Sequence, residues 1–207
     1  MDTRAVRRDA SRARILETAW KLARRDGLGA LSLHAIAQMV GMRAPSLYTY
    51  FPSKNAIYDA MYADGASQLA AALAHRPTAT EPVERLRSRV RLFVDFCTTD
   101  PIRYQLVFER PIPGFEPTRE SFEITVKALS STRADLDAAG VHGKRALDLF
   151  RALFTGLVSL QIANDPGGQR WSRLQYEALE MFLARYANPA RAGRRKPRPA
   201  KMAATLT

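Results

Sequence analysis

The sequence contains few of the residues that build disulfides, metal cages or catalytic centres. Its 207 residues include one cysteine and three histidines. The single cysteine, Cys97, cannot form an intramolecular disulfide, and one thiol with three scattered histidines does not match the ligand spacing of a zinc site. The chain also has no glycine-rich phosphate-binding loop, no His-Glu-x-x-His and no nucleophile elbow. We therefore expect neither an enzyme nor a bound cofactor.

Long apolar runs are missing as well. No stretch approaches the roughly 18 to 20 consecutive apolar residues of a membrane-spanning helix, although hydrophobic residues make up an ordinary 46% of the chain. The basic N-terminus leads directly into an amphipathic pattern, without the apolar core of a secretory signal. These features predict a soluble cytoplasmic protein with no membrane partner.

Positive charge is in excess, and it is concentrated at the two ends of the chain. The net charge is +12, and residues 1–60 carry ten basic against five acidic side chains. Residues 61–187 carry sixteen against fifteen, and residues 188–207 carry six against none. A basic module beside a nearly neutral one is typical of a phosphate-binding domain joined to a domain that does not bind nucleic acid. A solvated basic surface would give the same numbers, so charge alone leaves both interpretations open.

Apolar periodicity predicts an all-α protein. The predicted helices cover 11–26, 33–40, 44–50, 54–74, 83–97, 101–110, 118–139, 144–163 and 171–186. Ser32 and Ser53 are placed to cap the helices that follow them, and Gly27 is placed to end the first helix. We expect an N-terminal domain over 1–60, a C-terminal domain over 61–187 and a disordered basic tail over 188–207.

The segment LHAIAQMVGMRAPSLYTYFP, residues 33–52, has the spacing of a helix-turn-helix. Ala37 is small enough to let two helices approach closely, Gly41 accepts the positive φ of a tight turn, and Leu47 closes a small core between the helices. An ordinary helical hairpin inside an all-α core is the alternative.

Side chains outside the predicted core of the third helix favour DNA binding. They combine a guanidinium for guanine edges, small residues for close approach, and hydroxyls for phosphates: Arg43, Ala44, Pro45, Ser46, Tyr48, Thr49 and Tyr50. Lys54 begins the next helix, where its ammonium would favour a backbone phosphate. Core packing of the two tyrosine rings and plain solvent exposure of Lys54 are the alternatives.

The stretch GMRAPSLYTYFPSKNAIYDAM, residues 41–61, resembles the N-terminal signature of TetR/AcrR-type transcriptional regulators, with a glycine turn, a Leu-Tyr pair, a Tyr-Phe pair and a Ser-Lys pair. The pattern fits residues 11–64 without a gap. The resemblance implies a helical homodimer, with a three-helix DNA-binding domain before a ligand-binding and dimerisation domain. It places DNA contacts on Ser32, Arg43, Ala44, Pro45, Ser46, Tyr48, Thr49, Tyr50 and Lys54.

The helix predicted over 144–163 carries more apolar residues than one face of a surface helix needs, so it is central to a core or shared with a partner. Residues 149–174 resemble the dimerisation region of one subgroup of these regulators. Together with the helix over 171–186, they predict a four-helix bundle made from two chains. A monomeric core that contains both helices is the alternative.

Aromatic side chains concentrate around the middle helices and suit a pocket for a small apolar or aromatic effector. The candidate residues are Phe93, Phe96, Cys97, Tyr104, Phe108, Phe122 and Phe154. Each of them, taken singly, is more often a plain core residue than a ligand contact. Cys97 in particular indicates buried packing before it indicates a redox sensor.

The sequence thus predicts a sequence-specific, DNA-binding transcriptional regulator, a dimeric repressor that binds operator DNA and is released by a small ligand. The alternative is a non-specific DNA-bridging or membrane-surface protein driven by its basic ends. Such a protein would bind without sequence preference and would tolerate substitutions in the third helix. The basic tail is either a solvated end or an arm that touches DNA.

Overall fold

The computed structural model describes residues 3–74 and 79–187, and all regular structure within these ranges is helical. The predicted disorder of 188–207 and part of the loop after 74 lie outside the described residues. The α-helices are α1 Thr3–Asp26, α2 Leu33–Met39, α3 Ala44–Tyr48, α4 Lys54–Ala74, α5 Pro82–Thr99, α6 Pro101–Tyr104, α7 Arg119–Ala138, α8 Lys144–Asn164 and α9 Gln175–Tyr186. The all-α prediction is confirmed.

Several helices differ from their predicted bounds, and the largest differences are at the start of α1 and the end of α6. α1 begins at Thr3, about two turns before residue 11, because the intervening residues include several good helix formers and no proline or glycine. The helix predicted over 101–110 is α-helical only to Tyr104, and a π-helical turn, Gln105–Glu109, follows it. Arg110 ends that turn with a left-handed φ of 48°, a conformation that is uncommon for a residue with a side chain.

A first core is formed by α1, α2, α3 and the first half of α4. Ile15, Ile36, Leu47 and Ile57 are completely buried there. The same core also contains residues that come much later in the chain, Leu106, Ile112 and Phe115. The N-terminal helices therefore pack directly against the segment that follows α6, and this core extends past residue 60.

A second core lies between α5, α8 and α9, and its buried residues include Val94, Cys97, Phe154, Val158 and Leu179. Helix α7 packs along α4. A smaller apolar cluster lies where α4 meets α7, with Leu69 and Leu73 on α4 and Ala128 on α7. Helix α4 thus contributes side chains to the first core at its beginning and to the C-terminal half at its end.

One buried carboxylate fixes α5 to α7. Asp135 accepts from Nε of Arg89 at 2.7 Å and from Nε of Arg85 at 3.1 Å. Arg89 also donates to the Ser131 hydroxyl at 2.9 Å and to the carbonyl of Leu73 at 3.2 Å. Because each charge has partners, burial of this group does not leave an unpaired ion, and the end of α4 is tied to both helices.

The turn between α2 and α3 has the geometry that the sequence predicts. Ala37 is buried between the helices, Leu47 is completely buried and Gly41 has a φ of 70°. The amide of Met42 donates to the carbonyl of Ala37 at 2.8 Å, which closes the end of α2. These contacts fix the angle at which α3 leaves the first core.

The left-handed turn makes a stability prediction for Gly41. Gly41→Ala should lower the free energy of unfolding by about 1 to 2 kcal/mol, because a Cβ disfavours this conformation, although no atom would meet it within 4 Å. Urea unfolding followed by circular dichroism measures the loss. Gly41→Asn should recover part of it, since asparagine tolerates positive φ.

Gly29→Ala is the matched control, because that glycine also has open space around it and its φ is not in the left-handed range. It should leave stability nearly unchanged. Equal free energies of unfolding for the two alanine variants would contradict the role given to the turn at Gly41.

Candidate nucleic-acid interface and cavity

Helix α3 buries one side chain and presents its other side chains outward. Leu47 is completely buried, whereas Tyr48 is 51% exposed. The predicted contact residues divide into an exposed group, Arg43, Pro45, Ser46, Tyr48, Thr49 and Ser32, and a partly buried group, Ala44, Tyr50 and Lys54. The structure therefore brings all nine onto or beside the surface formed by the start of α2, α3 and the start of α4.

Polar groups on this surface differ in whether they already have partners. The Thr49 hydroxyl donates to the carbonyl of Ser46 at 2.7 Å, and the Ser32 hydroxyl accepts from the amide of Ala35 at 3.5 Å as the cap of α2. Within residues 3–74 and 79–187, the guanidinium of Arg43 makes no hydrogen bond or ion pair. Its donors are therefore available to an external acceptor.

Lys54 is held in place at the start of α4. Its ammonium donates to the carbonyl of Gly29 at 3.2 Å and lies 5.5 Å from the centre of the Tyr58 ring. Plain solvent exposure is thus not its environment. An ammonium has three donor hydrogens, so one hydrogen bond to the chain leaves others for a phosphate.

Two arginines of α1 brace the helix-turn-helix, and the sequence analysis did not single them out. Nη1 of Arg12 donates to the carbonyl of Tyr50 at 2.6 Å, and its guanidinium lies 4.4 Å from the centre of the Phe51 ring. Nη2 of Arg14 donates to the carbonyl of Val40 at 2.7 Å. These bonds satisfy carbonyls at the ends of α3 and α2. No local pattern could reveal them, because the partners are far away along the chain.

A cavity of about 310 Å³ lies among α4, the π-helical turn, α7 and α8. Three of the candidate effector residues line it: Phe93, Phe108 and Phe122. A neighbouring cavity of about 50 Å³ includes Phe154 and shares Phe93, Leu129 and Arg151 with the larger one. The larger volume lies at the lower end of the usual range for ligand pockets, about 300 to 1,000 Å³.

The other three candidate effector residues line neither cavity. Cys97 is completely buried in the second core, and the ring of Phe96 is covered by the guanidinium of Arg103 at 3.7 Å. Tyr104 stacks on Phe108 at 5.5 Å and donates its hydroxyl to the carbonyl of Thr155 at 3.1 Å. These side chains support the wall from behind. Helical periodicity alone does not distinguish the front of a pocket wall from its back.

Polar residues of the cavity were not found from the sequence. Thr125 and Tyr62 share a hydrogen bond of 3.0 Å between their hydroxyls, and burial raises the pKa of Tyr62. Arg110 makes an ion pair with Glu116 at 3.3 Å. Arg151, which lines both cavities, has no hydrogen-bond or ion-pair partner for its side chain in the described part of the chain.

The cavity and the first core share one wall. Leu106 of the π-helical turn is buried in the first core and also lines the cavity, as does Phe108, two residues later. Gly65 of α4 permits this close approach, because a Cβ there would lie 3.1 Å from Cγ2 of Val107 and 3.2 Å from Cγ of Arg103. A shift of the π-helical turn would therefore move side chains both in the first core and in the cavity wall.

The outer faces of α8 and α9 carry exposed apolar side chains. Leu149 and Leu160 on α8 are 41% and 39% exposed, and Met181 on α9 is 68% exposed. Among the described residues, α8 is long and apolar enough to cross a membrane by length and composition alone, yet its inner face packs in the second core through Phe150 and Phe154. An apolar face of this kind favours another protein surface as its cover.

A three-helix unit with an exposed third helix, followed by a helical domain with a cavity, defines the class of helix-turn-helix regulators. The family model "Bacterial regulatory proteins, tetR family" matches residues 15–61. The HTH-type transcriptional activator FasR of Mycolicibacterium smegmatis is 27% identical over 158 residues, which are 75% of this chain and 70% of FasR.

Solved structures share the fold of this chain over most of its length. The putative regulatory protein SCO4313 is 25% identical with a TM-score of 0.71, covering 87% of this chain and 98% of its own. The TetR family transcriptional regulator PfmR of Thermus thermophilus, at 20% identity, shares the fold with a TM-score of 0.63 over 82% and 97% of the two chains. Residues 15–61 therefore carry the TetR-type DNA-binding domain of a bacterial regulatory protein, and the relative and the solved structure named as regulators match this chain well beyond that domain.

The environment of Cys97 makes a prediction about its reactivity. Burial raises the pKa of the thiol well above its usual range, and only the thiolate reacts readily with electrophiles. The native protein should resist labelling by iodoacetamide at about pH 8, whereas the urea-unfolded chain should label completely. Mass spectrometry measures both fractions. Rapid labelling of the native protein would contradict a purely structural role and would favour a redox sensor.

Proposed function

We propose that the protein is a dimeric repressor that reads a specific operator through α3 and leaves it when a small effector fills the cavity between α4, α7 and α8. The observation that carries the proposal is the partnerless guanidinium of Arg43, within the described residues, at the start of an exposed helix. We further propose that it acts in the cytoplasm, where bacterial operators are found.

Base reading is assigned to the exposed side of α3. A guanidinium can bond to both acceptors of a guanine edge, which is the commonest specific contact in the major groove. Small neighbours, Ala44, Pro45 and Ser46, allow the helix to lie deep in the groove. The hydroxyls of Tyr48, Thr49 and Tyr50 and the ammonium of Lys54 suit phosphates, and they fix the register without reading sequence.

Basic residues upstream of the predicted motif add to the electrostatic attraction. Arg7 and Arg8 lie on the part of α1 that precedes residue 11, and both are exposed. Arg8 is one turn before Arg12, whose side chain contacts the end of α3. This placement puts positive charge beside the recognition helix, where it can displace counterions from the DNA backbone.

Dimerisation is assigned to the outer faces of α8 and α9. The exposed apolar side chains there flank small residues, Ala152 and Gly156, which would allow two helices to approach closely. Two chains joined in this way would present two copies of α3 to half-sites one helical turn apart, about 34 to 36 Å.

Release by the effector follows from the shared wall. A ligand that displaces Phe108 would shift the π-helical turn, and Leu106 of that turn is packed in the first core. A small change in the position of the first core in each chain alters the distance between the two α3 helices. Binding of effector and of operator would then be coupled reciprocally.

The sign of regulation is tested by transcription in vitro. FasR is named an activator, and a DNA-binding dimer of either kind uses the same interface. Adding the protein to a template that carries its own operator should lower transcription, and adding the effector should restore it. Increased transcription would make the protein an activator.

Operator specificity is tested by selecting bound duplexes from a random library. A near-palindromic motif should be enriched, and Arg43→Ala should lose roughly 1 to 3 kcal/mol of discrimination at one base pair of each half-site. Arg91→Ala is the control, since that exposed arginine lies on α5, which packs against α4 and the helices that follow it. Enrichment of no motif would instead support the non-specific DNA-bridging alternative.

The dimer is tested with charged substitutions on the proposed interface. The double variant Leu149→Glu and Met181→Glu should weaken the dimer on the order of a hundredfold or more, because carboxylates would be buried without partners. Val83→Glu on α5 is the control, since Val83 is similarly exposed, at 39%. Sedimentation equilibrium measures the masses. A dimeric double variant would place the interface elsewhere.

A further inference from the structure

We propose that the effector is an amphipathic monoanion, an apolar body with one carboxylate, and that Arg151 is the residue that binds the carboxylate. The inference deepens the proposed function because it assumes that the cavity is the effector site. It also narrows the sequence prediction of an apolar or aromatic effector, which did not include a charge.

The charge of the cavity wall carries the argument. The residues that line the two neighbouring cavities include three arginines and no aspartate or glutamate. Arg89 is paired with Asp135, and Arg110 is paired with Glu116. Arg151 alone among the three has no partner for its side chain in the described residues, so it is the one arginine of the wall that no carboxylate contacts there.

The surroundings of Arg151 favour a ligand that is apolar on one side of its charge. Arg151 lies where the two cavities adjoin, and the other two residues that they share are Phe93 and Leu129. Arg151 is exposed to solvent, so its charge is hydrated when no ligand contacts it. A carboxylate on the guanidinium would make two parallel charge-assisted hydrogen bonds while the rest of the ligand enters the apolar wall.

The hydroxyls of Tyr62 and Thr125, which also line the larger cavity, offer a second polar contact. Tyr62 and Thr125 have two hydroxyl protons between them, and their mutual hydrogen bond uses one. The remaining proton has no acceptor within the described residues. It suits an uncharged oxygen on the ligand better than a second carboxylate, because Glu116 already balances the nearby charge of Arg110.

The decisive experiment compares matched pairs of acids and alcohols on the full chain without DNA. Phenylbutyrate, decanoate and naphthaleneacetate are each paired with the corresponding alcohol, and binding is measured by isothermal titration calorimetry. At least one acid should bind about ten- to a hundredfold more tightly than its alcohol, the range expected for hydrogen bonds to a charged group.

Variants assign that preference to a residue. Arg151→Met should reduce the preference for the acid to less than about threefold while the alcohol binds as before, and Arg151→Lys should keep part of it. Arg110→Met is the matched control and should keep the preference. Thermal unfolding of each empty variant checks the fold, which Arg151→Met should leave unaffected because the Arg151 side chain has no partner in the described residues to lose.

Three outcomes would overturn the proposal. The alcohols could bind as tightly as their acids, or the preference for the acid could survive in Arg151→Met. The third outcome is that no acid binds at about 1 mM, a concentration that would detect even a very weak complex. Operator binding by the empty protein is measured separately by gel shift. An unchanged gel shift with no acid binding would reject the anionic effector but not the regulator. Acid binding without the enrichment of any operator would reject the sequence-specific regulator but not the anionic ligand.

Discussion

Helix α4 packs in both halves of the molecule, and the positions of the other helices depend on this shared helix. Ile57 is buried in the first core, whereas Leu69 is buried against α7. Between them, Gly65 brings the helix into contact with Val107 of the π-helical turn. A continuous helix does not bend easily between two packed ends. The orientation of α3 is therefore set together with the shape of the cavity and not independently of it.

Polar contacts strengthen this connection. Nε1 of Trp20 on α1 donates to Asp64 of α4 at 2.7 Å, and Arg24 of α1 forms an ion pair with Asp100 at the start of α6, also at 2.7 Å. Each contact joins the DNA-binding helices to the elements that carry the cavity. Packed elements of this kind move between discrete arrangements and do not deform continuously. These contacts are the route by which the proposed effector would act on α3.

The sequence predicted what depends on neighbouring residues and missed what depends on distant ones. The bounds of α4 were predicted correctly because Pro52 and Ser53 mark its start, and Gly41 marked the turn. Arg12 was not among the predicted contact residues, since nothing near it in the sequence indicates a bond to the carbonyl of Tyr50. The π-helical turn was missed for the same reason, because its residues favour an ordinary helix and only packing selects the wider turn.

Helix α8 has two faces with different chemistry, and this links effector class to quaternary structure. Its inner side contributes Arg151 and Thr155 to the cavity, and its outer side exposes Leu149 and Leu160. A carboxylate that bonds to Arg151 would therefore act on the same helix that we assign to the dimer interface. Operator reading by the proposed dimer requires a fixed separation of two α3 helices, so a change at α8 would alter that separation independently of the π-helical turn. An anionic effector would use both routes at once, whereas a neutral ligand that fills only the apolar wall would use one.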